Sequence, residues 1–468
     1  MIRRRTVLAA PALIPFAAAA QTAPAVKQDD TVGAGLRRGV LIRWGERVTF
    51  DAPPFDPATV DAEGAAAQFG WDARIAALVI PPRAADGVAR GILAVAHPTV
   101  EAAMAFPGGV DRPEVAAAMQ GASLLNLELQ GGRWIVVDGG FQSRRLTGST
   151  LCRLSGPGAE QAGGSVGGTL GITGGAATPW NSLLLTEGDP TAWLARLSGV
   201  APRFSRADGF GWLIELDPLD PQSIPVKRSA LGRYGKADAA AAQARGGQAV
   251  VFVAERGSGG FLFRFVSAGP ANGPDALDDG ILSVAQLQGT RLTWAALPAG
   301  AAANSVQAAQ AAGGFAFDAP SSLSWDARGG RLIACGGFGV LTFAPDGGDP
   351  AAASMTGSQV NTQRLGAVRT AMADSRGRLL IGTDTGGPVG ALAQTLWAVE
   401  GGNATALYGA PRAAGIGGAA VSPDGGTIFT VARRPGAEPG ASFDRPSTRW
   451  PQFEPGVPPR SALLTLSR

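Results

Sequence analysis

The chain has 468 residues, of which 68 are glycine and 34 are proline, and 45% of its residues are apolar. Its 40 basic and 37 acidic side chains leave a formal net charge of +3, which is small for this length. No dense run of lysine or arginine follows the N-terminus, so the charge pattern excludes a partner recognised by bulk positive charge, such as a nucleic acid or an anionic membrane.

The first twenty residues have the pattern of an export signal. Arg3–Arg5 form a charged start, and the apolar run that follows to Ala20 is too short to span a bilayer. Small residues, Ala18–Ala20, precede Gln21 and are typical of a cleavage site. We predict a signal peptide over residues 1–20, of the twin-arginine type with a Sec signal as the alternative. The protein is then periplasmic or secreted, and no later stretch predicts a membrane span.

From residue 30 onward, short β-type runs alternate with glycine, aspartate and proline. This pattern, without a sustained helical period, predicts an all-β fold. Two alanine-rich segments, 237–245 and 301–312, are predicted as short helical excursions at the surface. Representative β-type runs are GVLIRWG (39–45), GILAVAH (91–97), GFGWLIELDP (209–218), QAVVFVAE (248–255), GFLFRFVS (260–267) and ILSVAQLQGTRLTWAAL (281–297).

Three hairpins repeat one pattern at a spacing of forty to fifty residues. Each has a strand, an aspartate with a glycine-containing turn, and a second strand: WDARGGRLIAC (325–335), ADSRGRLLIGT (373–383) and SPDGGTIFTVA (422–432). A supersecondary unit repeated at this interval is typical of the blades of a β-propeller. We therefore predict one propeller domain over residues 30–468, with a small-molecule ligand site at the mouth of its channel.

The residues that most often carry chemistry are scarce. His97 is the single histidine, which excludes a site with several histidine ligands in one chain. It ends an apolar strand, so a buried, hydrogen-bonded side chain is expected. Cys152 and Cys335 lie far apart in apolar segments. We predict two buried free thiols, with a disulfide as the alternative.

One strand end carries two acids. In TPWNSLLLTEGD (178–189), Glu187 and Asp189 are two residues apart, a spacing that places both side chains on one face of a strand. The pair indicates either a metal or catalytic site at the strand end or a polar loop that closes a buried strand.

A series of segments, taken in their order along the chain, resembles the PhoX-type alkaline phosphatases. That secreted bacterial family has a β-propeller fold with an iron–calcium centre, so the resemblance implies six blades and a phosphatase ancestry. The segments are ILAVAHPTVEAAMAFPGG (92–109), RRLTGSTLCRLSGPGA (144–159), TPWNSLLLTEGD (178–189), FGWLIELDPLDPQSIPVKRSALGRYGK (210–236), FLFRFVS (261–267), SPDGGTIFTVA (422–432) and PPRSALLTL (458–466).

The resemblance also implies that most of the family's metal ligands are replaced. Thr186 stands at the position of the family's cysteine and is the candidate catalytic position, Glu187 stands at the first acid, and Asp189 follows a glycine. A threonine hydroxyl is a poor substitute for a thiolate as an iron ligand. Where the family has an acidic pair, Glu255 is followed by Arg256.

Further ligand motifs change in the same direction. The Asp-x-Pro-Glu motif becomes Asp318–Ser321, and Arg369 falls where an Asp-Asn pair is expected. With most carboxylates lost, the full cluster is not expected. A single Ca²⁺ or Mg²⁺ could use Glu187, Asp189 and Glu255. Arg256 and Arg369 become candidate anion-binding residues.

Two functions follow from these substitutions. One is an exported propeller that has lost phosphatase chemistry and binds a ligand at its channel. The other is a metal-dependent phosphoester hydrolase with a smaller, rebuilt metal site. Because fold does not determine function, the geometry of the site has to decide between them.

Overall fold

The computed structural model describes residues 22–159, 163–386 and 389–468, so the predicted signal peptide lies outside the described residues. Its first strands are Thr31–Val32 (β1), Arg37–Arg43 (β2), Arg74–Val79 (β3), Arg90–His97 (β4), Gly121–Gln130 (β5), Arg133–Val136 (β6), Arg144–Leu146 (β7), Leu151–Ser155 (β8), Ser165–Gly167 (β9) and Ile172–Ala177 (β10). There follow Leu183–Glu187 (β11), Leu213–Leu216 (β12), Val226–Arg228 (β13), Lys236–Gln243 (β14), Gln248–Glu255 (β15), Leu262–Pro270 (β16), Gly280–Gln288 (β17) and Arg291–Ala296 (β18).

The remaining strands are Ser322–Asp326 (β19), Arg331–Gly336 (β20), Gly339–Pro345 (β21), Ser354–Val360 (β22), Val368–Ala373 (β23), Leu379–Thr383 (β24), Thr395–Glu400 (β25), Asn403–Gly409 (β26), Gly415–Val421 (β27), Thr427–Arg433 (β28) and Ala462–Ser467 (β29). The helices are short: Ala62–Ala67 (α1), Ala102–Ala105 (α2), Pro113–Met119 (α3), Thr191–Arg196 (α4) and Ser305–Ala311 (α5).

Within the described residues, the strands form six blades. Blade 1 is β3-β4-β5-β6 with β7 paired to β5, and blade 2 is β10-β11-β12-β13 extended by β8 and β9. Blade 3 is β14 to β18 and blade 4 is β19 to β22, joined into one sheet by pairing of β18 with β22. Blade 5 is β23 to β26 with β1, and blade 6 is β27-β28-β29-β2.

The blades close into a ring. Their innermost strands contact one another in the order β3, β10, β14, β19, β23 and β27, and β27 contacts β3 again. The ring is held shut by an early strand, since β2 pairs with β29 to complete blade 6. This arrangement is a six-bladed β-propeller and confirms the predicted all-β fold.

The repeated hairpins are the inner hairpins of blades 4, 5 and 6. In each, the aspartate accepts a hydrogen bond from a backbone N–H in its own turn: Gly329 to Asp326 at 2.8 Å, Arg376 to Asp374 at 2.9 Å, and Gly426 to Asp424 at 3.1 Å. A short acceptor side chain at this place stabilises the turn locally. These aspartates therefore serve the blade, as the repeat predicts.

The helix predicted for residues 237–245 is wrong, because this segment is β14, the innermost strand of blade 3. Alanines are good helix formers, but Ala239 and Ala240 are buried where the inner strands crowd around the channel. Small side chains suit that position, so tertiary packing overrides propensity. The second alanine-rich segment does contain helix α5. No helix in the described part of the chain is long and apolar enough to cross a membrane.

Candidate functional site

A cavity of about 360 Å³ lies in the channel, at the end of the ring where the inner strands begin. All six blades contribute to its wall near the start of their inner strands: Arg74, Thr173, Ala237, Ser321, Thr370 and Ile416. Side chains from the loops at this face complete it. The cavity is therefore the channel mouth at which the sequence predicts a ligand, and we call it the channel cavity.

Arginine dominates the charge of the channel cavity. One acid, Asp384, is in its wall, against five arginines: Arg74, Arg256, Arg369, Arg433 and Arg434. Guanidinium groups present planar forks of N–H donors that match the oxygens of carboxylate and phosphate. The cavity is thus lined with donors and positive charge, a surface suited to an oxyanion.

Acidic side chains hold three of these arginines in place: the buried Asp72 and Asp238 and the partly exposed Glu101. Arg433 grips the buried Asp72 with two nitrogens, Nε at 3.0 Å and Nη2 at 2.6 Å. Burial raises the pKa of Asp72, but the charges of Arg433 and Arg434 outweigh it, and the net pKa is lowered. Arg434 donates to Glu101 at 3.0 Å, and its backbone φ of 51° is unusual for a residue with a side chain. The acids neutralise part of the charge and orient the guanidinium groups.

The third anchored arginine divides the channel. Arg74 donates to Asp238 at 2.9 Å and to the Ser321 carbonyl at 2.7 Å. Asp238 also accepts backbone N–H groups from Gly175 and Leu323 and therefore links blades 2, 3 and 4. Burial raises its pKa to about 6 despite the opposing charge of Arg74. Beyond this pair, a second cavity of about 340 Å³ occupies the rest of the channel.

The remaining two arginines of the cavity wall are Arg256 and Arg369. Among the described residues, no carboxylate forms an ion pair with Arg256 or Arg369. Arg369 Nε donates to the backbone carbonyl of Asp384 at 3.2 Å. The pKa of Arg256 is lowered, chiefly by desolvation and then by the charges of Arg433 and Arg74. The two candidates, Arg256 and Arg369, therefore lie together in the channel cavity. A bound anion there would offset the mutual repulsion of the arginine charges.

Glu187 lies elsewhere, inside blade 2. It is fully buried, and Lys227 Nζ donates to its Oε1 at 2.9 Å. The backbone N–H groups of Leu170 and Trp212 donate to its two oxygens at 3.0 Å each. Lys227 in turn donates to the Gly209 carbonyl at 2.7 Å. All of these are structural contacts, and the Glu187 carboxylate is not part of the cavity wall.

The neighbours of Glu187 diverge from it. Asp189 is exposed and accepts from the backbone N–H and the hydroxyl of Thr191, at the start of α4. Thr186 is fully buried and contacts the Thr173 hydroxyl at 3.0 Å, so it lies one side chain behind the cavity wall. The structure does not bring Glu187 and Asp189 together on one accessible face.

Glu255 is partly buried and also outside the cavity wall. Its Oε2 accepts the backbone N–H of Phe261 at 3.1 Å. Burial raises the pKa of this carboxyl, partly opposed by that hydrogen bond and by the charge of Lys236. Across residues 22–159, 163–386 and 389–468, no three His, Cys, Asp or Glu side chains are grouped to hold a metal ion. The side chains present therefore do not fit the multi-metal centre that the family resemblance implies.

Three cavity arginines, Arg74, Arg433 and Arg434, are absent from the candidates that the sequence suggests. The available signal is the doublet Arg433–Arg434, which directly follows the third repeated hairpin. A strand end in a blade points to one face of the ring, so a doublet there could have been placed near the channel. The sequence around Arg74 gives no comparable signal, because its partner Asp238 is 164 residues away.

The histidine and cysteine predictions are confirmed. His97 is fully buried; its Nδ1 contacts the Asp72 carbonyl at 2.5 Å and its Nε2 contacts the Ser123 hydroxyl at 2.7 Å. Desolvation and the charge of Arg145 hold its pKa well below the usual value. Cys152 and Cys335 are buried free thiols. None of these side chains lines the channel cavity.

The chain is similar to known proteins in sequence and in structure. The sequence profile described as alkaline phosphatase PhoX matches residues 18–324. The solved structure of Pseudomonas fluorescens PhoX, in complex with the transition-state analogue vanadate, is similar with a TM-score of 0.83 and 23% identity, covering 96% of this chain and 97% of that chain. A protein of unknown function from Dyadobacter fermentans gives a TM-score of 0.43 and 11% identity, covering 93% and 99%. No curated protein sequence matches the chain. With a family match over more than half of its length, the chain belongs to the PhoX family of alkaline phosphatases.

Proposed function

We propose that this protein is an exported PhoX-family propeller that binds a small oxyanion ligand in its channel cavity and has lost the metal-dependent phosphatase reaction. One observation carries the proposal: five arginines and a single acid line the cavity, and within the described residues two of those arginines, Arg256 and Arg369, form no ion pair with a carboxylate. Family members are secreted or periplasmic, and the N-terminal sequence pattern supports the same location for this chain.

The charge of the cavity supports binding rather than metal chemistry. A cluster of divalent or trivalent cations needs many anionic oxygens around it to offset the mutual repulsion of the ions. Here Arg256 and Arg369 place fixed positive charge where such oxygens would be required. The same guanidinium groups can replace part of the positive charge of the lost metals, since guanidinium groups bind oxyanions without a metal ion.

The alternative is a hydrolase with a reduced metal site at Glu187, Asp189 and Glu255, holding one Ca²⁺ or Mg²⁺. It requires the Glu187 carboxylate to leave its ion pair with Lys227, which would leave the Lys227 ammonium group buried without a counter-charge. It also requires the exposed Asp189 to turn toward the same point. The geometry therefore favours the anion-binding function.

The first test is calorimetric titration of the mature protein with inorganic phosphate and with sulfate. Arg256→Gln and Arg369→Gln should each weaken binding about tenfold, because each removes a charged hydrogen-bond donor from the anion. Arg364→Gln is the matched control, since Arg364 is exposed in the loop that precedes β23, the strand that carries Arg369, and lies outside the cavity wall. Equal affinities for all four proteins would overturn the proposed site.

The second test separates binding from hydrolysis. Elemental analysis of the protein purified from the periplasm should find no stoichiometric iron, and aryl phosphates should be hydrolysed no faster by the wild type than by a Glu255→Gln variant. Bound iron, together with turnover that disappears in Glu255→Gln, would refute the proposal and establish the reduced-metal hydrolase instead.

A further inference from the structure

Beside the channel cavity, on the same face of the ring, lies a recess between blades 4 and 5 that we call the polar groove. Its volume is about 770 Å³. Its floor is formed by the connection between β20 and β21, and its far wall by the loop after β22. The side chains that matter below are Asp318, Phe338, Asn361, Thr362 and Gln363.

The polar groove and the channel cavity share part of their walls. Ala319 and Arg369 line both. Ala319 has a backbone φ of 42°, a conformation that residues with a side chain seldom adopt and that tends to persist at functional sites. A single ligand can therefore place one end against the arginines and extend past Arg369 into the groove.

The groove offers hydrogen bonds of both kinds. Asp318 is exposed and, within the described residues, its carboxylate has no ion-pair partner. The side-chain oxygen of Asn361 accepts a hydrogen bond from the backbone N–H of Gln363 at 3.4 Å, and its amide nitrogen adds two N–H donors to the groove. The side chains of Thr362 and Gln363 add a hydroxyl and an amide, and Phe338 is half-buried beside them.

The charges of the polar groove and of the channel cavity determine the orientation of the ligand. Asp318 repels a second anionic group, so the negative end of the ligand belongs with the arginines. A carboxylate accepts hydrogen bonds from hydroxyl groups, amides both donate and accept them, and an aromatic ring covers C–H groups. This combination suits a chain or ring that carries several hydroxyls and no charge.

We propose that the ligand is a hydroxyl-rich organic anion, whose phosphate or carboxylate lies against the arginines of the channel cavity and whose hydroxylated body lies in the polar groove. This rests on the proposed oxyanion site and extends it to the ligand class. The groove residues then determine specificity, whereas the arginines supply the affinity for charge that every oxyanion shares.

The test compares five probes by calorimetric titration: inorganic phosphate, phenyl phosphate, phosphoethanolamine, glucose 6-phosphate and glucuronate. Glucose 6-phosphate or glucuronate should bind at least about tenfold more tightly than phenyl phosphate, which has a body of similar size without hydroxyls. The preferred one of the two identifies the anionic group as phosphate or carboxylate. In the double variant Asn361→Ala, Gln363→Ala the advantage should disappear, while the affinity for inorganic phosphate stays within about twofold.

Ser358→Ala is the control, because Ser358 is exposed on β22 outside the groove. If inorganic phosphate binds through Arg369 but phenyl phosphate binds as tightly as the sugar derivatives, the groove proposal fails and the oxyanion site stands. If phosphoethanolamine binds more tightly than either sugar derivative, Asp318 binds its ammonium group and the proposal of a hydroxyl-rich ligand is refuted. If the sugar derivatives bind through Asn361 without any effect of Arg369→Gln, the oxyanion site fails instead.

Discussion

Replacing Glu187 by alanine should unfold blade 2 more readily while leaving the channel cavity unchanged. The carboxylate accepts three hydrogen bonds, from Lys227 Nζ, Leu170 N and Trp212 N, and none of its side chain is exposed to solvent. Removing it leaves two backbone N–H groups without an acceptor. It also leaves the Lys227 ammonium with the Gly209 carbonyl and the Phe210 ring, 4.6 Å from the ring centroid, as its contacts.

The size of the effect follows from those losses. A buried N–H left without an acceptor costs about 1–3 kcal/mol, and breaking one side of a buried ion pair costs about 3–5 kcal/mol in total. Because domains are typically stable by about 5–15 kcal/mol, Glu187→Ala should forfeit a large part of the free energy of unfolding. The double variant Glu187→Gln, Lys227→Met should be more stable than Glu187→Ala, since it leaves no unpaired charge.

Urea unfolding followed by tryptophan fluorescence measures these differences. Asp189→Ala is the matched comparison, because Asp189 is an exposed acid two residues further along whose carboxylate accepts hydrogen bonds from Thr191. We expect its midpoint to change much less than that of Glu187→Ala. If the two alanine variants are equally stable, or if Glu187→Ala loses a bound metal ion with an unchanged midpoint, the structural role of Glu187 is refuted.

Three further outcomes are expected. The pKa of His97 is low in the folded protein, so on acidification the unfolded chain takes up a proton near pH 6.5 while the folded protein does not, and the free energy of unfolding falls as pH falls below 6.5. Between pH 8 and pH 5, the urea midpoint should therefore decline less in His97→Gln than in the wild type, and parallel profiles would contradict this. Thr186→Cys should not produce hydrolysis of p-nitrophenyl phosphate, since Thr186 lies behind Thr173 and, among the described residues, no carboxylates are grouped to hold a metal ion; measurable iron-dependent turnover would count against the binding function. Mass spectrometry of the exported protein should find an N-terminus near Gln21, and a full-length cytoplasmic chain would exclude the predicted signal.

Much of the architecture could be predicted from local sequence patterns. The hairpins around Asp326, Asp374 and Asp424 each encode their own turn and their own inner register, because the stabilising contacts lie within five residues of the aspartate. Repetition of such a local unit is enough to indicate a propeller. The helix prediction for the alanine-rich segment of β14 is wrong because this segment pairs with β15 and is packed against β10 and β19 of the neighbouring blades, contacts that helix propensity does not encode.

The residues of the candidate site also differ in whether local sequence could predict their role. From the sequence, the family resemblance predicts which side chains stand at the family's ligand positions, and that prediction includes Arg256 and Arg369 as candidate anion-binding residues. Whether an acid is accessible or taken depended on partners far along the chain: Glu187 is paired with a lysine 40 residues away, and Arg433 with an aspartate 361 residues away. Only the closed ring brings Arg74, Arg433 and Arg434 into one cavity with them, because a propeller places the ends of six separate strands around a single axis.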